Sequence, residues 1–254
     1  MLNIEYRHSA SKGNTFIDCP PFWIIHELYE HESKPNARMK MGLAAEEAAY
    51  YSLKQKLSED ATTKIAKDKY ILTHEGNEDD DECVWSAHIA NRFVNELKQF
   101  GEMVSWQNEK QVPGKKWGLK YDVVGKTDFE FEDVIIDTKA TAYIRRLKAG
   151  HVDPKWYPKE ADLRQQFLYR ELFGKNTALL YCSYKDSHAV DLADRIGYLE
   201  QMLQAFRTIE HILKIAKNKK DIVRMYPLTF DNFRWKGSPD AKEFAIKVWS
   251  EAFK

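Results

Sequence analysis

Two aspartates and a lysine near the middle of the chain have the spacing of a cluster that could bind a metal ion. Asp128 and Asp137 flank the segment 129–136, in which apolar and acidic residues are mixed, and Lys139 follows two positions later. If residues 132–133 form the two-residue turn of a hairpin, Asp128 lies directly opposite Asp137. Opposed residues of an antiparallel pair have side chains roughly 5 Å apart on one face. The spacing therefore predicts a carboxylate pair.

This carboxylate pair needs a compensating charge, because like charges placed opposite each other destabilise a hairpin. A divalent cation is the obvious compensation, and ligands that are all oxygen suit Mg²⁺ or Mn²⁺. Side chains alternate along a strand, so Lys139 is expected beside Asp137 while Thr138 turns away. The alternative is a charged pair on the exposed face of an edge hairpin, and the Glu-Asp turn is not the Asn-Gly type that favours tight hairpins.

The elements that must position these residues follow from hydrophobic periodicity. Helices are predicted over 37–57, 83–100, 160–173, 191–217 and 238–253. Short segments rich in Val, Ile, Phe and Tyr predict an antiparallel meander over 103–110, 119–124, 126–131 and 134–140, and an apolar run predicts a buried strand over 177–183. Residues 19–21 predict a turn, and 74–82 a solvated acidic loop. We expect an α/β fold, with helices on both sides of a mixed central sheet.

Composition places few limits on function. Lys plus Arg and Asp plus Glu both number 39, so any nucleic-acid surface must be a local patch. No apolar run approaches the roughly 18 residues that span a bilayer, and no signal peptide begins the chain, so we expect a cytoplasmic protein with no membrane contact. Cys19, Cys83 and Cys182 are widely spaced, which predicts reduced, buried thiols and no structural zinc site.

The central motif resembles the signature of the PD-(D/E)XK nuclease superfamily, which has an Asp on one strand and Asp-x-Lys on the next. Here the matching residues are Asp128 and then Asp137-Thr138-Lys139. No proline precedes Asp128, but that position is often degenerate in the superfamily. The resemblance implies a restriction-endonuclease-like core with helical N-terminal and C-terminal additions.

Two further motifs narrow the resemblance to the RecB-like and phage-exonuclease-like branch. Gln165 and Tyr169 are similar to its Gln-x-x-x-Tyr motif, and residues four apart share a helix face, so both side chains can aim at one phosphate. Gly42 and Glu46 resemble the upstream helix motif, in which the small residue lets the helix approach the sheet. Glu46 is the expected third metal ligand, with Glu47 as its rival.

The N-terminal segment is similar to the Ser and Cys-Pro segment of RecB-like domains, through Ser9-Ala10-Ser11 and Cys19-Pro20. In some relatives such a cysteine joins three C-terminal cysteines in an iron-sulfur cluster. No cysteine follows Cys182, so we expect no cluster and assign Cys19 to packing. The resemblance covers residues 9–183.

The resemblance implies a Mg²⁺-dependent DNA exonuclease of recombination, repair or phage replication, in the host cytoplasm if phage-encoded. Asp128, Asp137 and Glu46 would hold Mg²⁺ or Mn²⁺, with the carbonyl of Thr138 a further ligand. Lys139, its pKa lowered by the cation, would activate water or stabilise charge. We expect one nuclease domain over 1–254, with parts at 1–102, 103–185 and 186–254. An endonuclease with the same site and a catalytically inactive nucleic-acid-binding module are the alternatives.

Basic residues after the catalytic strand offer a second way to bind DNA. Arg145 and Arg146 are predicted to contact phosphates, with Lys148 close by. Cations and aromatics also alternate over 155–159, which suits phosphate contacts and base stacking. A solvated loop is the alternative. Oligomeric state, strand polarity and strand preference are not predicted by any of these motifs.

Overall fold

The computed structural model describes residues 2, 4–153, 155, 158–192, 197–236 and 238–254. Its α-helices are α1 (Ala10–Asp18), α2 (Pro20–Trp23), α3 (Ala37–Gln55), α4 (Glu59–Asp68), α5 (Asp81–Leu97), α6 (Glu160–Phe173), α7 (Tyr198–Ile215), α8 (Lys219–Met225) and α9 (Pro239–Ala252). Its strands are β1 (His8–Ser9), β2 (Ser105–Trp106), β3 (Glu109–Val112), β4 (Val123–Lys126), β5 (Phe129–Glu130), β6 (Val134–Ala140), β7 (Asn176–Cys182) and β8 (Ser187–Asp191).

The chain forms two compact units, each built from separate stretches of sequence. Unit 1 comprises 1–34, 110–125 and 196–254, and unit 2 comprises 35–109 and 126–195. Both units contain helices and strands, so the α/β class is confirmed. The single nuclease domain expected from the sequence stays a prediction.

Unit 2 contains a five-stranded mixed sheet in the order β2-β5-β6-β7-β8. Strands β6 and β7 are parallel, and α6 lies in the connection that parallel strands require. Helices α3, α4 and α5 bury their small and apolar residues in one core with the sheet residues Phe129, Ile136 and Leu180. Helix α6 packs against β7. Most residues of β6 and β7 are thus buried between these helices.

Unit 1 contains the other sheet, in the order β1-β4-β3, with β1 and β4 parallel. Its core is built from α1, α2, α7, α8 and α9 around large aromatic side chains, which include Trp23 and Trp235. Proline begins α2 at a helical N-terminal position, so the turn predicted over 19–21 is wrong. Proline suits that position because the first turn of a helix has no partner for its backbone N–H groups.

The element predictions are confirmed most closely in unit 2. Strand β6 and helix α6 have the predicted bounds, and α6 ends at Gly174, whose φ of 70° is the left-handed conformation typical of glycine at this position. Helices α3 and α5 match the predicted 37–57 and 83–100 to within three residues at each end, if the 3₁₀ turn Lys98–Phe100 is counted with α5.

The predicted antiparallel meander is confirmed only in part. Strands β2, β5 and β6, which lie in the predicted segments 103–110, 126–131 and 134–140, pair antiparallel with one another in that order. Segment 119–124 instead contributes to β4, which pairs in parallel with β1 in the other sheet, because a partner more than 100 residues away leaves no local signal. Segment 103–110 is interrupted at Gln107, whose φ of 50° breaks the extended backbone between β2 and β3.

The C-terminal region is less helical than predicted. Residues 187–191 form strand β8, and helix α7 begins only at Tyr198. Residues 193–196 of the predicted 191–217 helix lie outside the described part. Among the described helices, none is both long enough and apolar enough to cross a bilayer.

Candidate active site

The hairpin β5–β6 has the register that the sequence predicts. The paired residues are Phe129 with Ile136 and Glu130 with Ile135. Continuing this register by one residue places Asp128 opposite Asp137. The two carboxylates are close enough to interact, because the charge of Asp128 raises the pKa of Asp137. Both carboxylates also raise the pKa of Lys139.

Asp128 is held by the strand opposite it. Its Oδ2 accepts hydrogen bonds from the backbone N–H of Thr138 at 2.8 Å and from the Thr138 hydroxyl at 3.2 Å. The expectation that the Thr138 side chain turns away from the cluster is therefore wrong. Asp128 precedes the first paired residue of β5, so its carboxylate is free of the strict alternation of the ladder and reaches Thr138.

Asp137 is the most enclosed member of the cluster, with no exposed surface. Its Oδ2 forms an ion pair with the ammonium of Lys139, and its Oδ1 accepts a hydrogen bond from the Gln165 amide at 2.9 Å. Lys139 lies beside Asp137 as predicted. A buried carboxylate is thus fixed between the strand that carries it and helix α6.

Helix α3 supplies Glu46, and the structure separates it from its rival. Glu46 Oε1 accepts hydrogen bonds from Trp106 Nε1 at 3.3 Å and Gln107 Nε2 at 3.1 Å, and its carboxylate interacts with Asp137. Glu47 instead pairs with Lys69 at 2.7 Å and with a histidine. Glu46 is therefore the glutamate that α3 presents to the cluster.

Gly42 allows α3 to approach strand β6 closely. A Cβ atom added at Gly42 would lie 3.4 Å from the Cβ of Ala140. We expect Gly42→Ala to be tolerated, because the contact is tight but feasible and alanine favours a helix by about 1 kcal/mol. Gly42→Leu should lower the free energy of unfolding by about 1–3 kcal/mol, since the larger side chain must displace α3 and Glu46 with it. Urea unfolding of both variants measures this difference, and equal stability would contradict the close approach.

Gln165 and Tyr169 lie on one face of α6, as their spacing predicts. Gln165 Nε2 donates to the Tyr169 hydroxyl at 3.0 Å, and Gln165 Oε1 accepts from Lys139 Nζ at 3.3 Å. Gln165 thereby links the tyrosine to both Asp137 and Lys139. The Tyr169 hydroxyl uses a lone pair in this contact, so its proton can be donated to another acceptor.

Burial and mutual repulsion raise the pKa of every carboxyl group in the cluster. Burial raises the pKa of Asp128 to about 7, with further repulsion from Glu46. Burial likewise raises the pKa of Asp137 to about 7, although Lys139 opposes the shift. The pKa of Glu46 is raised by burial and by Asp137, against the hydrogen bond from Gln107. The site therefore disfavours the ionised form of its carboxyl groups, mainly because they are buried, and Lys139 offsets this only in part.

Lys139 is strongly held in its charged form. Burial alone would lower the pKa of Lys139, but Asp137 and Asp128 outweigh it and raise the pKa well above its usual value. The sequence predicted a lowered pKa for Lys139, but the residues around it raise this pKa instead. A lowered pKa would require a cation bound beside Lys139. In the protein alone, Lys139 is an ammonium that donates hydrogen bonds and positive charge.

Sequence reasoning missed two parts of the site. Asp162 also raises the pKa of Lys139 and accepts a hydrogen bond from the Tyr181 hydroxyl at 2.7 Å. Asp162 lies one helical turn before Gln165, and this spacing could have indicated that it faces the site. The other omission is the pair Trp106 and Gln107, which hold Glu46 from about 60 residues further along the chain, and no local pattern marks that contact.

The donor set of the cluster fits a hard divalent cation. It is made of carboxylate oxygens whose pKa values are raised mainly by burial and further by mutual repulsion, and oxygen ligands suit Mg²⁺ or Mn²⁺. Across the described residues, no three His, Cys, Asp or Glu side chains are grouped as a formed metal site.

Arg145 and Arg146 occupy the segment after β6, where each is paired with an acidic side chain. Arg145 lies 3.3 Å from Asp153, and Arg146 donates to Asp186 at 2.5 and 2.8 Å. These contacts orient the two guanidinium groups within the loop. Of the basic and aromatic segment 155–159, Trp156 and Tyr157 lie outside the described residues.

Replacing both Arg145 and Arg146 by alanine is expected to weaken DNA binding and to reduce its dependence on salt. Removing one phosphate interaction should lower the slope of log K against log salt concentration by about 0.9. Binding measured at several salt concentrations checks this, and an unchanged slope would show that the arginines only brace the loop through Asp153 and Asp186.

The N-terminal motif lies in unit 1. Ser9 caps helix α1 by accepting a hydrogen bond from the backbone N–H of Lys12 at 3.3 Å, and Cys19 is a buried free thiol in the core of that unit. Cys83 and Cys182 are also buried and free, as expected. Both residues of the motif thus have structural roles.

Comparison with known proteins leaves the family open. The architecture is mixed α/β, with a buried cluster of carboxylates and a lysine in unit 2. No protein-family model matches the chain, and no curated protein matches it. Among solved structures, the "Crystal structure of SSO0001" is similar over 79% of this chain and 87% of that chain, at 13% sequence identity with a TM-score of 0.35. A similarity this weak supports no inference about fold or function.

Proposed function

We propose that this chain is a metal-dependent DNA exonuclease with a PD-(D/E)XK core, of the RecB-like and phage-exonuclease-like kind, acting in recombination, repair or phage replication. The observation that carries the proposal is the network around Asp137, which joins Lys139 and Gln165 to one buried carboxylate opposite Asp128. The order of hairpin, helix α6 and parallel strand β7 supports the same core.

In this proposal Asp128, Asp137 and Glu46 hold one or two Mg²⁺ ions, with the Thr138 carbonyl as a further ligand. When bound, Mg²⁺ neutralises charge on the phosphoryl oxygens and activates water for hydrolysis of the phosphodiester bond. Trp106 and Gln107 orient Glu46 toward this role, and Thr138 orients Asp128. The ligands are therefore placed before substrate arrives, which lowers the cost of organising the site.

Lys139 supplies positive charge beside the scissile phosphate. Its ammonium, which pairs with Asp137 in the metal-free protein, would stabilise the charge that develops on the phosphoryl oxygens. Gln165 holds that ammonium in place through its Oε1 atom. Tyr169 donates its hydroxyl proton to a neighbouring phosphate oxygen, and the amide of Gln165 fixes the hydroxyl in that orientation.

Incubation of the purified chain with linear and circular DNA, single- and double-stranded, tests the proposed function. We expect linear DNA to be degraded with Mg²⁺ or Mn²⁺ and to persist in EDTA, while closed circles stay intact because an exonuclease needs an end. Cleavage of closed circles would indicate an endonuclease. DNA binding without any metal-dependent cleavage would indicate the inactive binding module.

A further inference from the structure

A basic pocket lies in unit 2 at the C-terminal ends of α3 and α5. It has a volume of about 610 Å³, and its charged lining consists of Lys54, Lys56 and Lys98 with one carboxylate, Glu102. All three lysines are exposed. Within the described part of the chain, neither Lys56 nor Lys98 forms an ion pair with a protein carboxylate. The pocket therefore presents excess positive charge to solvent.

Direct contacts connect this pocket to the carboxylate cluster. Lys54 Nζ donates to the Tyr50 hydroxyl at 2.9 Å and lies 5.4 Å from the centre of the Tyr50 ring. The Tyr50 ring also stacks on Trp106 at a centroid distance of 4.2 Å, and Trp106 donates a hydrogen bond to Glu46. Glu46, Tyr50 and Lys54 are spaced four residues apart on α3, so they follow one helix face.

The length of this strip corresponds to a few nucleotides. Eight residues of α3 separate Glu46 from Lys54, which is about 12 Å at 1.5 Å per residue. Phosphates follow one another at about 3.4 Å along the axis for each strand of a duplex. This axial rise is shorter than the direct separation of successive phosphates, so a strand that runs along α3 would place at the lysines a phosphate no more than about four positions from the scissile one.

We propose that Lys54, Lys56 and Lys98 bind the backbone phosphates of the same nucleic-acid strand that the carboxylate cluster cleaves, within about four nucleotides of the scissile phosphate. This inference rests on the proposed function. Tyr50 is a positioning residue in it, since it holds Lys54 on one side and Trp106 on the other. The ligand contact is with phosphate alone, so it is independent of base sequence.

Binding of fluorescein-labelled oligothymidylates of three, six and ten nucleotides tests the pocket. The full chain carrying Asp137→Asn serves as the parent, so that the oligonucleotides stay intact. We expect the affinity of the parent to rise steeply between three and six nucleotides. In Lys54→Gln/Lys56→Gln/Lys98→Gln this rise should disappear, with binding of the ten-nucleotide probe at least tenfold weaker. Removal of three phosphate interactions should also lower the salt slope by about 2 for a single strand.

Two further variants control for folding and for general charge. Replacement of the same three lysines by arginine should keep both the affinity and its length dependence. Replacement of three exposed lysines of unit 1, Lys236, Lys247 and Lys254, by glutamine removes the same charge and should leave the step between three and six nucleotides in place.

The proposal is overturned if the glutamine variant of the pocket binds like its parent, if the unit 1 control loses as much affinity, or if the parent shows no length step. Failure of the proposed function would be seen separately, as absence of metal-dependent cleavage by the unaltered chain. Suppose that oligonucleotide binding depends on the three lysines and on length, but the unaltered chain shows no metal-dependent cleavage. This result would support the phosphate-binding pocket and contradict the proposed nuclease function.

Discussion

Replacing Lys139 by methionine is expected to lower the rate of Mg²⁺-dependent DNA cleavage by about 10²–10³-fold, the usual cost of removing one group that stabilises transition-state charge. Methionine keeps an unbranched side chain of similar reach but has no ammonium to face the phosphoryl oxygens. Removal of the positive charge beside Asp137 should leave Mn²⁺ binding intact or tighter. The measurements are the initial rate of cleavage of linear DNA and calorimetric titration with Mn²⁺.

Lys175 provides a matched control for this substitution. Its side chain is 27% exposed against 26% for Lys139, and it also pairs with a carboxylate, Glu130, at 2.7 Å. Lys175→Met should therefore cost a similar amount of stability while leaving the cleavage rate within a few-fold of the unaltered chain. Equal loss of activity in the two variants would show that Lys139 acts only through folding.

Replacing Asp128 by asparagine is expected to stabilise the metal-free protein at pH 8 while it abolishes cleavage. Since the folded-state pKa of Asp128 is raised to about 7 from its usual 3.8, the folded state binds more protons than the unfolded state between these values. Stability of the unaltered chain in EDTA should then fall as the pH rises from about 4 to 7. A shift of this size corresponds to about 4 kcal/mol, which partial solvent exposure of the side chain reduces to about 1–3 kcal/mol.

The free energy of unfolding in EDTA, measured at pH 5 and pH 8, checks this expectation. Asp128→Asn should gain over the unaltered chain at pH 8 and gain less at pH 5. Asp133→Asn, in the exposed turn of the same hairpin, is the matched control and should show no such change. Mg²⁺ should raise the melting temperature of the unaltered chain more than that of Asp128→Asn. A variant that is less stable than the unaltered chain at pH 8 would contradict the raised pKa of Asp128.

The hairpin β5–β6 could be predicted from the sequence because its determinants are local. Apolar residues on either side of residues 132–133 fix which residues pair, so the arithmetic of a two-residue turn reproduces the observed register. Helix α6 is equally local, since it has helical periodicity and ends at Gly174. Residues four apart on that helix then give the contact of Gln165 with Tyr169.

Other features depended on contacts between distant parts of the chain. The pairing of β4 with β1 joins segments more than 100 residues apart, and the hold of Trp106 on Glu46 joins residues 60 apart. The residues next to β4 and next to Trp106 do not indicate which distant segment each will contact. The pairing of Arg145 and Arg146 with acidic residues was hidden for the same reason, since Asp186 lies 40 residues beyond Arg146.

The central claim, a metal-dependent site around Asp137, is tested most directly by nucleotide release from end-labelled linear DNA. The initial rate is compared between the unaltered chain and Asp137→Asn, each with Mg²⁺ and with EDTA. We expect release only by the unaltered chain with Mg²⁺, because Asp137 is a proposed metal ligand and also contacts both Lys139 and Gln165. Release at the same rate by Asp137→Asn, or by the unaltered chain in EDTA, would contradict the assignment of the site.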